Sequence, residues 1–216
     1  MVRFYSQFMG EGDICFDIGA HIGKKTEIFL RTGAKVVAVE PQSDCIEYMK
    51  RKFFGDPKIT LINKGLSDRD GELVFHICEK DSTISTLSEK WKTGRFSSYN
   101  WKKSKKIPVT TLDALIEKNG LPVFCKIDVE GYEYNVLKGL SQPIQIISFE
   151  FTQEFFDDSK DCIDYLNTLG DARYNCSLSE SVKMLFLNWV SHDELIMKIN
   201  SIEDPLLWGD IYVKFY

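Results

Sequence analysis

The sequence has no C-x-x-C pair among its six cysteines, Cys15, Cys45, Cys78, Cys125, Cys162 and Cys176. None of its three histidines sits at zinc-ligand spacing from a cysteine, so no structural zinc site is expected. Four of the thiols fall in apolar runs or helical patterns and read as buried thiols of a reducing compartment. No apolar run reaches membrane-spanning length. The segment "MVRFYSQFMGEGD" is too polar for a secretory leader, so a cytoplasmic location is expected. A basic excess is also missing: 27 Lys and Arg stand against 32 Asp and Glu, net charge −5. That balance argues against a nucleic-acid partner. The one basic cluster, "WKKSKK" at residues 101–106, reads as a solvated loop, with a phosphate-bearing substrate as the alternative. Repeats, low-complexity tracts and linkers are absent, and 216 residues suit one sizeable core. A single domain over residues 1–216 is the expectation.

What is present is a strand–helix rhythm. "ICFDI", "KVVAVE" and "ITLIN" read as strands, with helices expected over residues 22–31 and over "SDCIEYMKRKFF", the latter capped by Ser43 or Asp44. Continuous β-branched runs separated by helices imply parallel strands covered on both faces. "GLSDRDGELVFHICEK" breaks the rhythm and reads as a hairpin appended to the sheet. Residues 81–105 are polar and irregular, yet carry Trp91, Phe96, Tyr99 and Trp101, which suggests a binding loop or lid. The rhythm returns with a helix capped at Thr111 and stopped by Gly120, then "VFCKIDVEGYEYNVLKGL", "IQIISFEF" and a helix over residues 158–169. "RYNCSL", "KMLFLNWV" and "DIYVKFY" read as late strands, with the short helix "HDELIMKINS" before the last.

Chemistry concentrates where strands hand over to helices. In "DIGAHIG" the turn holds Asp17, Gly19, Ala20, His21 and Gly23. A dinucleotide turn wants G-x-G-x-x-G, but His21 occupies the middle glycine's place. Asp17 would repel a pyrophosphate and welcome a cationic amine. A helix N-terminus can meet a carboxylate. The ligand with both groups on a nucleoside is S-adenosylmethionine. Glu40, 23 residues after Asp17, ends the next strand, where an acid can accept both ribose hydroxyls. Alone, each acid reads as a cap or a solvated side chain; as a pair at strand ends they point to a nucleoside site. In "KIDVEG", Lys126, Asp128 and Glu130 surround the end of a core strand. They are candidates for general-base chemistry. The structural alternative has Asp128 capping the next helix, Glu130 complementing its dipole and Lys126 pairing with one of them.

"DIGAHIG", "AVEP", "LSDRDGEL", "TLD" and "KIDVEGYEYNVLKG", in that order over residues 13–150, resemble the FkbM family of S-adenosylmethionine-dependent methyltransferases. The resemblance implies a Rossmann-like class I methyltransferase fold of the α/β class, with a seven-stranded, mostly parallel sheet and helices on both faces. It implies O-methylation of a small-molecule, sugar or polyketide hydroxyl. Asp17, Gly19 and Gly23 then hold the methionine part and Glu40 the ribose, with Ala20, His21 and Pro41 also among the cofactor-binding residues, and Leu66 and Ser67 lie near the adenine. Asp128 and Glu130 are the candidate bases, with Lys126 orienting one of them or binding acceptor oxygens. His21 is an alternative base. Asp128, Glu130 and Glu150 could together hold Mg²⁺, but no metal is expected. N- or carboxyl-methylation, or a cofactor-binding subunit without turnover, remain open alternatives.

Overall fold

The computed structural model describes residues 1–216. In chain order the elements are α1 (Val2–Tyr5), β1 (Ile14–Ile18), α2 (Lys24–Leu30), β2 (Lys35–Val39), α3 (Ser43–Lys52) and β3 (Ile59–Ile62). Then come β4 (Gly65–Leu66), β5 (Gly71–Ile77), β6 (Lys103–Thr110), α4 (Leu112–Asn119), β7 (Phe124–Ile127) and α5 (Glu133–Leu137). The last third holds β8 (Ile146–Thr152), α6 (Phe156–Leu169), β9 (Ala172–Leu178), α7 (His192–Asn200) and β10 (Trp208–Phe215). No helix is long and apolar enough to cross a membrane.

Seven strands form one sheet in the order β3-β2-β1-β7-β8-β10-β9. Its first five strands are parallel neighbours, and β10 runs antiparallel to both β8 and β9. The continuous apolar strands were the signal for this, because each strand must bury both faces. In β1, Phe16 and Ile18 join the core with residues of α4 to α7, whereas Cys15 packs with residues of α1 to α3. Period-two alternation thus feeds two apolar layers from one buried strand. Chain order reverses between β1 and β7, so the crevice for a ligand opens at the C-terminal ends of those strands.

The segment read as an appended hairpin lies instead in a second sheet, ordered β4-β6-β5, where β6 separates its strands β4 and β5, and this sheet has its own small core of Phe75, Ile107 and Val109. Its antiparallel arms β5 and β6 are separated by residues 78–102. Of the basic cluster read as a loop, Lys103, Lys105 and Lys106 lie in the strand Lys103–Thr110, one arm of this sheet, whereas Trp101 and Lys102 precede it. The segment read as a lid contains two single-turn 3₁₀ helices, and Trp91 is buried against Phe96 and Phe155. It belongs to the packed body.

Two further expectations differ from the structure. "KMLFLNWV" forms no strand. Asn175 of β9 takes the Phe186 N–H on its Oδ1 and donates Nδ2 to the Phe186 carbonyl, so a side chain interrupts the ladder, and backbone meets backbone only at Leu185 N–H to the Cys176 carbonyl and at the Val190–Tyr174 bridge. The N-cap of α3 is Gln42, not Ser43 or Asp44. Ser43 donates its hydroxyl to Asn63 instead. Thr111 does cap α4, accepting from the Ala114 N–H at 3.1 Å.

Candidate active site

The turn after β1 is clasped from both sides. Gly19 and Ala20 donate their N–H groups to the Val39 carbonyl at 2.9 and 3.1 Å, and Asp128 donates its own to the Ile18 carbonyl at 2.9 Å. Gly19 has φ +82°, and a Cβ there would stand 1.8 Å from the Asp128 carbonyl oxygen. At Gly23, φ +72°, a Cβ would meet the Phe53 ring at 2.7 Å. These glycines let chain pack against chain. Bare backbone at Gly19 sets the spacing between the first strand's turn and the loop after β7.

Glu40 is 3% exposed, and its carboxylate is oriented from two directions. The His21 N–H donates to one oxygen at 2.9 Å and the Gln42 N–H to the other at 2.8 Å. Burial still pushes its pKa up. Asp17, 2% exposed, accepts the Thr26 hydroxyl at 2.5 Å, and burial raises its carboxyl from 3.8 to about 6. Two desolvated acids held this way need a cationic or hydroxylated partner to regain what burial costs them. The His21 side chain bonds Ser82 at 3.0 Å, and the Gln42 side chain donates to the Ser82 carbonyl at 3.1 Å. Burial and Lys24 lower the His21 pKa, which keeps its ring neutral.

A cavity of about 250 Å³ runs along this edge. Of the residues singled out in the sequence, Asp17, Gly19, Ala20, His21, Glu40, Pro41, Leu66, Asp128 and Glu130 line it. Three do not. Gly23 packs on α3, as described. Ser67 is buried, donates to Asp68 and meets the Tyr132 hydroxyl at 3.3 Å. Lys126 is 1% exposed and salt-bridged to Asp128 at 3.0 Å and Asp210 at 2.9 Å. Burial is the largest influence and opposes its charge, but the surrounding groups, Asp128 and Asp210 first, together outweigh burial and hold the ammonium protonated. Asp210 was not foreseen, because it arrives from β10 through a tail with no distinctive motif. Thr83, Ser85, Leu87 and Phe75 line the cavity from the second sheet and the segment after it. The polar, aromatic-bearing stretch was the one sequence signal for Thr83, Ser85 and Leu87, whereas Phe75 falls in the segment read as a hairpin.

The loop after β7 is built around Glu133. Its Oε1 accepts the N–H groups of Val129 at 3.0 Å and Gly131 at 3.3 Å, and burial pushes its carboxyl up to about 7. Glu130 sits at φ +57°, a left-handed conformation that is costly for a non-glycine residue, and Thr86 donates to its carbonyl at 2.7 Å. The helix starts late, with Tyr132 as N-cap and no side-chain cap. So Asp128 is not a cap, and Glu133 rather than Glu130 occupies the first turn. Carboxylate oxygens of Asp128, Glu130 and Glu150 lie within 4.8 Å of one another. Burial first, then Asp128, raises the pKa of both Glu130 and Glu150 well above the ordinary range. Such a set suits a small oxygen-preferring cation, and equally suits proton exchange among crowded acids.

The strand order, the single reversed strand next to the edge and the cavity at the switch point define a class I methyltransferase fold. Solved structures with that arrangement resemble it. One is precorrin-6Y C5,15-methyltransferase of Geobacter metallireducens GS-15, with a TM-score of 0.51 and 10% identity, covering 99% of this chain and 86% of that one. Another is a putative rRNA-methylase of Clostridium thermocellum, with a TM-score of 0.50 and 12% identity, covering 100% and 93%. At such identities the likeness shows the fold alone. Residues 17–194 match the methyltransferase FkbM domain, and the chain belongs to that family, whose methyl donor is S-adenosylmethionine. The hexuronic acid methyltransferase AglP of Haloferax volcanii is 28% identical over 152 residues, 69% of this chain. The match spans 59% of that relative's length.

Proposed function

We propose that this chain binds S-adenosylmethionine in the 250 Å³ cavity and methylates a hydroxyl of a small-molecule, sugar or polyketide acceptor. The observation that carries the reading is the pair of buried acids in one cavity: Asp17 where the methionine ammonium would lie, and Glu40 aimed at the ribose hydroxyls. A sugar acceptor draws support from the relative named for hexuronic acid. Residues 1–216 act as one domain in this reading. The six unpaired, buried cysteines support a reducing, cytoplasmic setting.

The bound donor supplies an electrophilic methyl on a sulfonium sulfur, which keeps the electron pair of the broken bond and leaves as a neutral thioether. The chain's own residues position and deprotonate the acceptor. Glu130 or Asp128, both on the cavity wall, accepts the hydroxyl proton. A carboxyl with a raised pKa is a stronger base than an ordinary one, which favours Glu130. Lys126 is out of reach of a ligand and acts by orienting Asp128. The strained backbone at Glu130, pinned by Glu133 and Thr86, holds the base still. Most of the rate comes from that positioning.

Purified protein incubated with methyl-labelled S-adenosylmethionine and a panel of sugar and polyketide alcohols should yield labelled ethers. Chelation of divalent cations should leave the rate unchanged. Label on nitrogen or as a base-labile ester would refute O-methylation.

A further inference from the structure

A second cavity, of about 430 Å³, adjoins the first. Leu87 lines both, and the chain passes from one wall at Glu130 to the other at Gly131. It opens at the end of β8, between the loop before α5 and the start of α6. This lies beyond the candidate bases, on the side away from Glu40.

Its charge is lopsided. Glu89, Glu133, Glu150 and Asp158 line it, against one cation, Lys90. That cation is spent: the Lys90 ammonium donates to both Asp158 oxygens, at 2.6 and 2.8 Å. Glu150 has carboxylate oxygens free of any side-chain partner and shares the acid cluster with Asp128 and Glu130. The wall is otherwise aromatic and hydroxylated. Trp91 and Phe155 lie tilted at 40° with centroids 5.7 Å apart, and Tyr132 and Tyr134 line the same space. Two lining residues carry buried polar atoms without a partner, Trp91 Nε1 and Thr152 Oγ1, on side chains of residues 4% and 6% exposed. Buried donors are rarely left unpaired unless a ligand or water completes them.

Aromatic faces with a few isolated donors fit the C–H face and hydroxyls of a sugar ring. Asp158 is spent on Lys90 and Glu89 on Lys92, and burial among acids raises the carboxyls of Glu133 and Glu150, so a carboxylate brought here would be desolvated with no free cation to offset the cost. We propose that the second cavity is the acceptor site and that it selects an uncharged or amine-bearing glycoside over a uronate. This rests on the methyltransferase reading above and adds the acceptor's charge class to it.

The test uses 4-nitrophenyl glucoside, glucosaminide, glucuronide and glucuronide methyl ester as matched probes. Each is offered to the protein with S-adenosylhomocysteine in saturation-transfer NMR, and with S-adenosylmethionine in a transfer assay. The glucoside, the glucosaminide and the ester should bind. The glucuronide should bind at least tenfold more weakly, and masking its carboxylate should restore the response. Asp158→Asn frees Lys90 and should raise glucuronide binding severalfold relative to the glucoside. A glucuronide that binds as well as the glucoside would overturn the proposal, as would failure of all four probes with the product cofactor bound. If S-adenosylhomocysteine itself does not bind, the methyltransferase reading fails and this proposal with it.

Discussion

Replacing Asp17 by Asn should strengthen the fold and weaken the cofactor complex. The carboxyl is 2% exposed, and burial lifts it from 3.8 to about 6. Below about pH 4 the group is protonated folded or unfolded and costs nothing. Between about pH 4 and 6 the native state binds more protons than the unfolded chain, so stability falls as pH rises. Above about 6 the full cost is present, on the order of 3 kcal/mol at 1.36 kcal/mol per pH unit. Asn has the same shape and still accepts from Thr26. The value of about 6 is already net of the Thr26 hydrogen bond, which lowers it. The expected gain at pH 8 is therefore on the order of 3 kcal/mol, at roughly 2–4 °C in melting temperature per kcal/mol for a chain of this size. The gain should shrink towards zero or below by pH 4. Affinity for S-adenosylhomocysteine should fall at least about tenfold, because the ammonium loses an ionised partner. Melting curves from pH 4 to 8, with and without ligand, read both effects. An Asn variant that is less stable at pH 8 and binds the ligand normally would refute the reasoning: Asp17 would then be a structural acid and nothing more.

Glu130→Gln should retain cofactor affinity and lose about 10²–10⁴ in single-turnover rate, the usual worth of a general base. Wild-type transfer should rise with pH through the elevated range of that carboxyl, because the base must be ionised; a flat profile would remove Glu130 from the role. Gly19→Ala places a methyl 1.8 Å from the Asp128 carbonyl at φ +82°. It should cost several kcal/mol by thermal denaturation and displace the loop carrying both candidate bases, about 2–5 kcal/mol being usual for overpacking plus backbone strain.

The parts legible in the sequence are those where contiguous residues carry the function. "DIGAHIG", "AVEP" and "KIDVEG" each span a strand end and the turn beyond it, so spacing alone placed Asp17, Glu40 and Asp128 along one edge. Contacts between distant segments were not legible. Asp210 reaches Lys126 across β8, and Thr83 and Ser85 enter the cavity from between the arms of the second sheet. No local pattern announces a residue whose partner lies more than 80 positions away. Ser67 was misleading for the opposite reason. It is next to Leu66, which lines the cavity, but alternation in an extended chain turns its side chain away. The glycines were legible as glycines, but not the reason for them. Gly19 serves the approach of two loops, a fact visible only once β7 is seated beside β1.

Titration calorimetry of S-adenosylhomocysteine tests the central claim most directly. The wild-type protein should bind with one site per chain. Glu40→Ala, checked for folding by its melting curve, should bind about tenfold or more weakly, since charged hydrogen bonds are worth about 1.5–3 kcal/mol each. Ser67→Ala, outside the cavity, should bind as the wild type does. Equal affinity for all three proteins, or no binding to the wild type, would contradict the account.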